Sequence, residues 1–290
     1  MTGAAGGLGR AAVTRFIAEG WRVAAADLVA PTVDGPDGPD TPDTLLSLAM
    51  DVRDTASVAE AMRQVEEWAP DGLGALITFA AVGGVGPLME TPVDGLATVM
   101  DVNVVGTHRT VLAAWRHVRR GGGRVILIGS ETGRQHAWPL KGPYAMSKHA
   151  IEAYADALRR ELMFVGVPVV LMQPGPFRTS MVERVPAVFD ALPEDSPFKA
   201  LAQSAVGLAA DTFEKASDPS VLAEAVVRAA SVSRPRDRYP VAVDRGRALL
   251  DRLPVGVVDR MLRVFPARAV SRAGAEVDQP PSGEPGPRSS

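Results

Sequence analysis

Cysteine is missing from all 290 residues, which excludes disulfides, thiolate catalysis and cysteine-ligated zinc. Neither sign of charge is in excess. The 31 lysines and arginines stand against 34 acidic residues, a net charge of −3, so nothing global points to a nucleic acid as partner. No apolar run approaches the roughly eighteen residues of a membrane span, and the N-terminus lacks the basic-then-apolar layout of a signal peptide. A cytoplasmic protein is expected, with no nucleic-acid partner and no membrane contact. What is present fits that expectation: an apolar fraction of 46% and a charged fraction of 22% belong to a chain that buries a full core.

Strand-like apolar runs recur at 21–26, 75–80, 124–129, 168–173 and 239–243, with helical stretches between them. That alternation argues an α/β fold, a doubly wound parallel sheet with helices on both faces. Residues 31–42 are rich in Pro, Gly and Asp and read as a loop, after which periodic structure resumes at Leu45. We expect one domain over residues 1–245, with a C-terminal extension at 246–272 and a disordered Pro-, Gly- and Ser-rich tail at 273–290. Residues 228–272 hold eleven arginines against four acidic residues, and Leu249, Leu253, Val257, Met261 and Phe265 recur at roughly helical spacing. Such a stripe reads as a helix packing on the domain or on a partner subunit, in preference to a membrane-surface helix.

Thr2-Gly3-Ala4-Ala5-Gly6-Gly7-Leu8-Gly9 opens the chain and leads into an amphipathic stretch. Glycines there let the backbone turn tightly and approach a pyrophosphate, which the helix N-terminus then holds. Asp27 follows about twenty residues on, at the end of a strand, where a carboxylate accepts hydrogen bonds from a ribose diol and repels a 2′-phosphate. The cofactor expected is therefore NAD, with NADP disfavoured. No Gly-Lys-Ser/Thr triplet completes the cluster, so a Walker-type triphosphate site is excluded.

The segment from Arg124 to Leu162 reads as a buried strand ending at Ser130, a loop, and a helix entered near Tyr144. Tyr144 and Lys148 are four apart, which on a helix puts them on one face about 6 Å apart along the axis. A free phenol has a pKa of about 10, and a nearby ammonium lowers it toward the range of a working base. Ser130 is placed to hydrogen-bond the substrate oxygen beside that phenol. Taken singly, each residue has a plainer role, as helix surface or as a turn; together, downstream of a glycine loop and Asp27, they make a site.

On these residues the chain resembles the short-chain dehydrogenase/reductase family, to about Val243. Thr2 to Gly9 match TGxxxGxG, Tyr144 and Lys148 match YxxxK, and Ser130 precedes the tyrosine by fourteen positions. The resemblance implies a catalytic set of Asn103, Ser130, Tyr144 and Lys148, in which the asparagine kinks a helix and holds a water of the proton relay. It also implies cofactor contacts from Gly3, Gly7, Leu8, Gly9, Asp27, Asp51, Val52, Ala80, Tyr144, Lys148, Pro174, Gly175 and Thr179. The activity implied is reversible oxidation of a secondary alcohol to a ketone, in a homo-oligomer (dimer or tetramer). Residues 181–213 resemble the family's variable substrate lid, and Val182, Val185, Phe189 and Phe198 in it suggest a hydrophobic alcohol or ketone as substrate. Two features depart from the pattern. Thr78-Phe79-Ala80-Ala81 stands where the family has Asn-Asn-Ala-Gly, and only Met1 precedes the glycine motif, so the first strand is expected to be absent here and carried upstream in a longer native chain.

Two other functions compete. A non-catalytic dinucleotide-binding protein, a sensor or structural subunit, has no chemical need for Ser130, Tyr144 and Lys148 together. A serine hydrolase is disfavoured because Ser130 lies in Gly-Ser-Glu-Thr-Gly and no histidine is placed by motif as its base. His108, His117, His136 and His149 lack metal-ligand spacing, so no metal is expected and surface or satisfied core roles are favoured for each; for His136, between Ser130 and Tyr144, a substrate contact is the less favoured alternative.

Overall fold

Short Val-, Ile- and Leu-rich runs become fully buried strands because helices cover both of their faces. The structure, a computed structural model, describes residues 1–32, 34–35, 38–39 and 43–263. The strands are β1 (Val23–Asp27), β2 (Asp34–Gly35), β3 (Gly38–Pro39), β4 (Leu45–Ala49), β5 (Ala75–Thr78), β6 (Arg124–Ile128), β7 (Val169–Pro174) and β8 (Arg238–Val241). The helices are α1 (Gly7–Ala18), α2 (Thr55–Trp68), α3 (Val93–Met100), α4 (Gly106–Arg120), α5 (Gly142–Leu162), α6 (Ser180–Glu183), α7 (Val185–Asp190), α8 (Lys199–Glu214), α9 (Pro219–Ser231) and α10 (Arg245–Leu250). Five of these strands fall where the apolar runs placed them, whereas β4 was marked only as a return of periodicity. The expected loop at 31–42 carries a small antiparallel pairing of β2 with β3 among its described residues.

All main-sheet pairings are parallel: β4 lies beside β1, and β5, β6, β7 and β8 follow in order. Strand alternation sends Ile126, Ile128, Val170 and Met172 to one core, with Val13 and Phe16 of α1 and Leu222 and Val226 of α9. Val125, Leu127, Val169 and Leu171 go to the other, with Val111 and Val118 of α4 and Ile151 of α5. This is a single, doubly wound, Rossmann-like α/β domain. The chain reverses its direction of winding between β1 and β5, and ligands of such sheets bind at the strand carboxyl ends beside that reversal.

The first strand needs a correction: its last two residues are in place. Thr2 bridges Ala26 on one side and Thr78 on the other, both in parallel. Its N–H donates to the Ile77 carbonyl at 3.0 Å, its carbonyl accepts from Phe79 N at 3.0 Å, and the Met1 carbonyl accepts from Ala26 N at 2.9 Å. The seam is thus closed at the carboxyl end of the strands. Further back, β1 and β5 face each other across a cavity of about 410 Å³, lined by Val23, Ala24, Ala75, Leu76 and Ile77 among others.

The C-terminal stripe also departs from expectation. α10 ends at Leu250, and helix resumes over 255–263 only after Pro254, whose ring cannot continue a helix through its own position. The break rotates the two pieces out of phase. Leu249 is 64% exposed and Met261 50%, while Val258, outside the stripe, is the residue buried. Phe265, residues 264–272 and the tail at 273–290 lie outside the described residues.

Candidate active site

The glycine loop begins where Thr2 leaves the sheet. Gly3 has φ +67°, and a Cβ there would stand 2.4 Å from Ala80 N; a Cβ on Gly9 would stand 2.1 Å from the Gly3 carbonyl oxygen. Only glycine fits either position. Helix α1 starts on Gly6, a cap with no side chain to offer, so the first amides of the helix, including Gly7, Leu8 and Gly9, remain free to bind an anion. Thr179 packs on this loop, its Cγ2 3.4 Å from a Cβ built on Gly7. Pro174 and Gly175 bring it there, and Gly175 itself is pressed against the Ala242 carbonyl. Asp27 ends β1 beside the loop: its Oδ2 accepts Ala5 N–H at 2.9 Å. Ala80 N donates to Thr2 Oγ1 at 3.3 Å. Asp51 is held by Arg53 at 2.7 Å, and that guanidinium keeps its carboxyl below the usual range. Val52 is buried, its carbonyl accepting from Arg109.

Asn103 lies in a five-residue π turn, Asp101–Val105, wedged between α3 and α4. This wide turn is the kink expected at that asparagine. Its amide is fully used: Oδ1 accepts from Val82 N at 2.8 Å, and Nδ2 donates to the Val82 carbonyl and to Ser147 Oγ, each at 3.0 Å. Ser147 Oγ in turn donates to the Tyr144 carbonyl at 2.8 Å. One asparagine therefore ties the loop after β5 to the start of α5.

Ser130 follows β6 and caps the short turn Glu131–Gly133, accepting from Thr132 N. Lys148 is buried; its Nζ donates to the Ile128 carbonyl at 3.0 Å and stands 5.6 Å from the Tyr144 ring centre. Burial pushes its ammonium down to about 8. The Tyr144 phenol, in contrast to the expected lowering by the lysine, is held above its usual value. Burial raises it most, a hydrogen bond with Ser130 pulls it back, and the Glu131 charge raises it further. Desolvation of the phenolate outweighs an ammonium that is itself desolvated and turned toward a main-chain carbonyl.

The structure thus gathers Asn103, Ser130, Tyr144 and Lys148 at the carboxyl ends of β5 and β6, beside the glycine loop. The profile of the short chain dehydrogenase family matches residues 1–188. This chain belongs to that family. Like other short-chain dehydrogenases, it is related to oxidoreductases that use NAD(P). It is 32% identical over 250 residues to the NADPH-dependent 3-dehydrocapnine reductase of Ornithobacterium rhinotracheale, covering 83% of this chain and 87% of that one. It is 30% identical to mouse retinol dehydrogenase 7, covering 93% and 90%. A short-chain dehydrogenase from Streptomyces avermitilis shares its fold, with a TM-score of 0.68 at 23% identity over 93% of this chain and 95% of that one.

At the rim of the site His136 takes the satisfied role favoured for it, while the lid departs from expectation. His136 is turned to the C-terminal segment: its N–H donates to Asp251 Oδ1 at 2.9 Å, and its Nε2 lies 3.1 Å from the Leu253 carbonyl oxygen. In the segment expected as a lid, Phe189 is buried against Leu140 and Ala202, with Val185 packed on them, so these side chains fill one another's space. The other histidines have protein partners, His117 buried against the Ala69 carbonyl, His108 on Tyr154 and His149 on the Ala145 carbonyl. Sequence reasoning passed over Glu131, Lys141 and Ser147. Glu131 had one available signal, a carboxylate directly after the strand-ending serine.

Proposed function

We propose that this short-chain dehydrogenase interconverts a hydrophobic secondary alcohol and its ketone with NAD, using Tyr144 as acid/base. The convergence of Ser130, Tyr144 and Lys148 beside the glycine loop carries the reading. The cradle suits a dinucleotide: Gly3 and Gly9 leave room that any Cβ would fill, and the uncapped start of α1 suits a pyrophosphate. Gly7, Leu8 and Thr179 line the loop, Asp27 takes the ribose diol, Asp51 and Val52 stand at the adenine end, and Ala80, Pro174 and Gly175 frame the nicotinamide end. The nicotinamide, when bound, accepts or returns the hydride. Ser130 orients the substrate oxygen. Tyr144 takes the hydroxyl proton as the carbonyl forms and gives it back in reduction. Lys148 fixes the ring's approach through its bond to Ile128, and Asn103 holds the helix turn beneath it.

NAD is favoured by this chain's own residues: Asp27 presents a carboxylate, and neither 2–9 nor 27–30 contains a lysine or arginine to receive a 2′-phosphate. The NADPH in the name of the Ornithobacterium relative points the other way, so the cofactor must be measured. The retinol dehydrogenase relative supports a hydrophobic substrate. Exposed Val105, Leu112 and Met146 on and beside α4 and α5 support a homo-oligomer. A non-catalytic dinucleotide-binding subunit is the second reading, favoured by Phe79 at the end of β5, which offers no side-chain hydrogen bond. A panel of hydrophobic secondary alcohols with NAD and with NADP, followed by absorbance of the reduced cofactor, separates the two. Cofactor binding without turnover of any member supports the second.

A further inference from the structure

Beside Ser130 lies a charged group that the mechanism above does not use. The Glu131 side chain is 7% exposed. Its Oε2 accepts the Asp244 N–H at 2.8 Å, and its Oε1 stands 3.9 Å from an Arg247 nitrogen. Arg247 is also 3.6 Å from the Asp244 carboxylate and lies over the Trp138 ring at 5.6 Å. Asp244 caps α10 through the Gly246 and Arg247 amides, and further along Asp251 and Leu253 hold His136. The segment 244–253 therefore grips both ends of the 130–138 loop. A buried carboxylate left without these partners is costly, so the grip is strong where Glu131 is charged.

We propose that Glu131 is a positioning residue: clamped by the Asp244 amide and Arg247, it fixes the Ser130 turn against Tyr144 and makes the α10 segment part of the working site. The charged and titratable groups that face it are Arg247 and Asp244 from the α10 side and Lys141 and Tyr144 from the start of α5. Burial pushes its carboxyl above the ordinary range; the Asp244 amide, Arg247 and Lys141 oppose that, and the Asp244 charge adds to it. Its negative charge reaches the Tyr144 phenol and makes phenolate harder to form.

This inference rests on Tyr144 as the acid/base, and its test has a readout free of turnover. The chain has three tyrosines, Tyr144, Tyr154 and Tyr239, so tyrosine ring-carbon NMR resolves each titration. Tyr154, pushed up to about 12 by burial, serves as an internal reference. In Glu131→Gln, which keeps an acceptor for the Asp244 amide, Tyr144 is expected to titrate at lower pH than in the unmodified protein while Tyr154 stays. In Arg247→Met, amides 130–134 are expected to exchange faster with solvent and kcat to fall about tenfold to a hundredfold, the cost of misplacing reacting groups, with KM for NAD held. An unmoved Tyr144 in Glu131→Gln, or native kcat and exchange in Arg247→Met, overturns the proposal; if the glutamine variant does not fold, the methionine variant decides. Should the unmodified protein turn over no alcohol, the functional reading fails while titration and exchange still judge the clamp.

Discussion

The carboxylate of Asp27 holds the backbone of Ala5: Oδ2 accepts that amide at 2.9 Å while Oδ1 accepts Leu28 N at 2.7 Å. One side chain thus shapes the glycine loop and, on the proposed reading, also receives the ribose. In Asp27→Asn one acceptor remains and the charge is gone. Hydrogen bonds to charged groups contribute about 1.5–3 kcal/mol, so kcat/KM with NAD should fall roughly tenfold to a hundredfold while that with NADP rises. Steady-state kinetics with both cofactors checks this, and an unmodified protein that prefers NADP contradicts the assignment of Asp27.

Tyr144→Phe removes only the hydroxyl proposed to move the proton. Turnover is expected to fall by about a hundredfold to ten-thousandfold, with NAD affinity by calorimetry unchanged. The pH dependence has a definite sign: phenolate takes the proton in oxidation, so oxidation should quicken as pH rises through the phenol's pKa and reduction should slow. Near-native turnover in the phenylalanine variant would falsify the mechanism.

Asn103→Ala leaves Val82 N and O and the Ser147 hydroxyl without their buried partner. The bond to Ser147 is buried and the two to Val82 are partly buried, and an intramolecular hydrogen bond contributes about 0.5–1.5 kcal/mol net, so a drop of roughly 1.5–4 kcal/mol in unfolding free energy is expected. Chemical denaturation measures it. A loss below about 1 kcal/mol would mean that the π turn holds itself without the asparagine.

How much of this was legible in sequence follows from what carries the information. Strand runs and the spacing from Ser130 to Tyr144 to Lys148 are local, and local periodicity placed them within a residue or two. β4 was only half seen because a short apolar run such as Leu45-Leu46-Ser47-Leu48-Ala49 lacks clean alternation and cannot be told from a helix segment by periodicity alone. Glu131 was missed because its partners, Asp244 and Arg247, lie more than a hundred positions away, and no window contains both ends. The C-terminal stripe misled because spacing was counted straight through Pro254, which resets the helical phase.

The cavity between β1 and β5 yields the last prediction. Met1 closes its upper end, its α-amino group donating to the Ala24 carbonyl at 2.6 Å. Burial lowers that amine from 8.0 to about 5. A basic group depressed in the folded state is bound by a proton more readily in the unfolded chain, so its stabilisation is full above pH 8, falls as pH drops, and is lost through pH 5. At about 1.4 kcal/mol per unit, the swing approaches 4 kcal/mol. Joining four or five aliphatic residues ahead of Met1 should remove it, because the amine becomes an amide that donates to the sheet without titrating. The added strand would also pair with the stretches of β1 and β5 that have no partner on this side among the described residues and bury side chains worth about 1.5–3 kcal/mol each against Val23, Leu76 and Ile77. Urea unfolding of both chains at intervals from pH 5 to pH 8 tests the two effects together. The extended chain is expected to be the more stable throughout and to have the flatter pH profile; equal midpoints and parallel profiles would show that the space between β1 and β5 does not accept a strand.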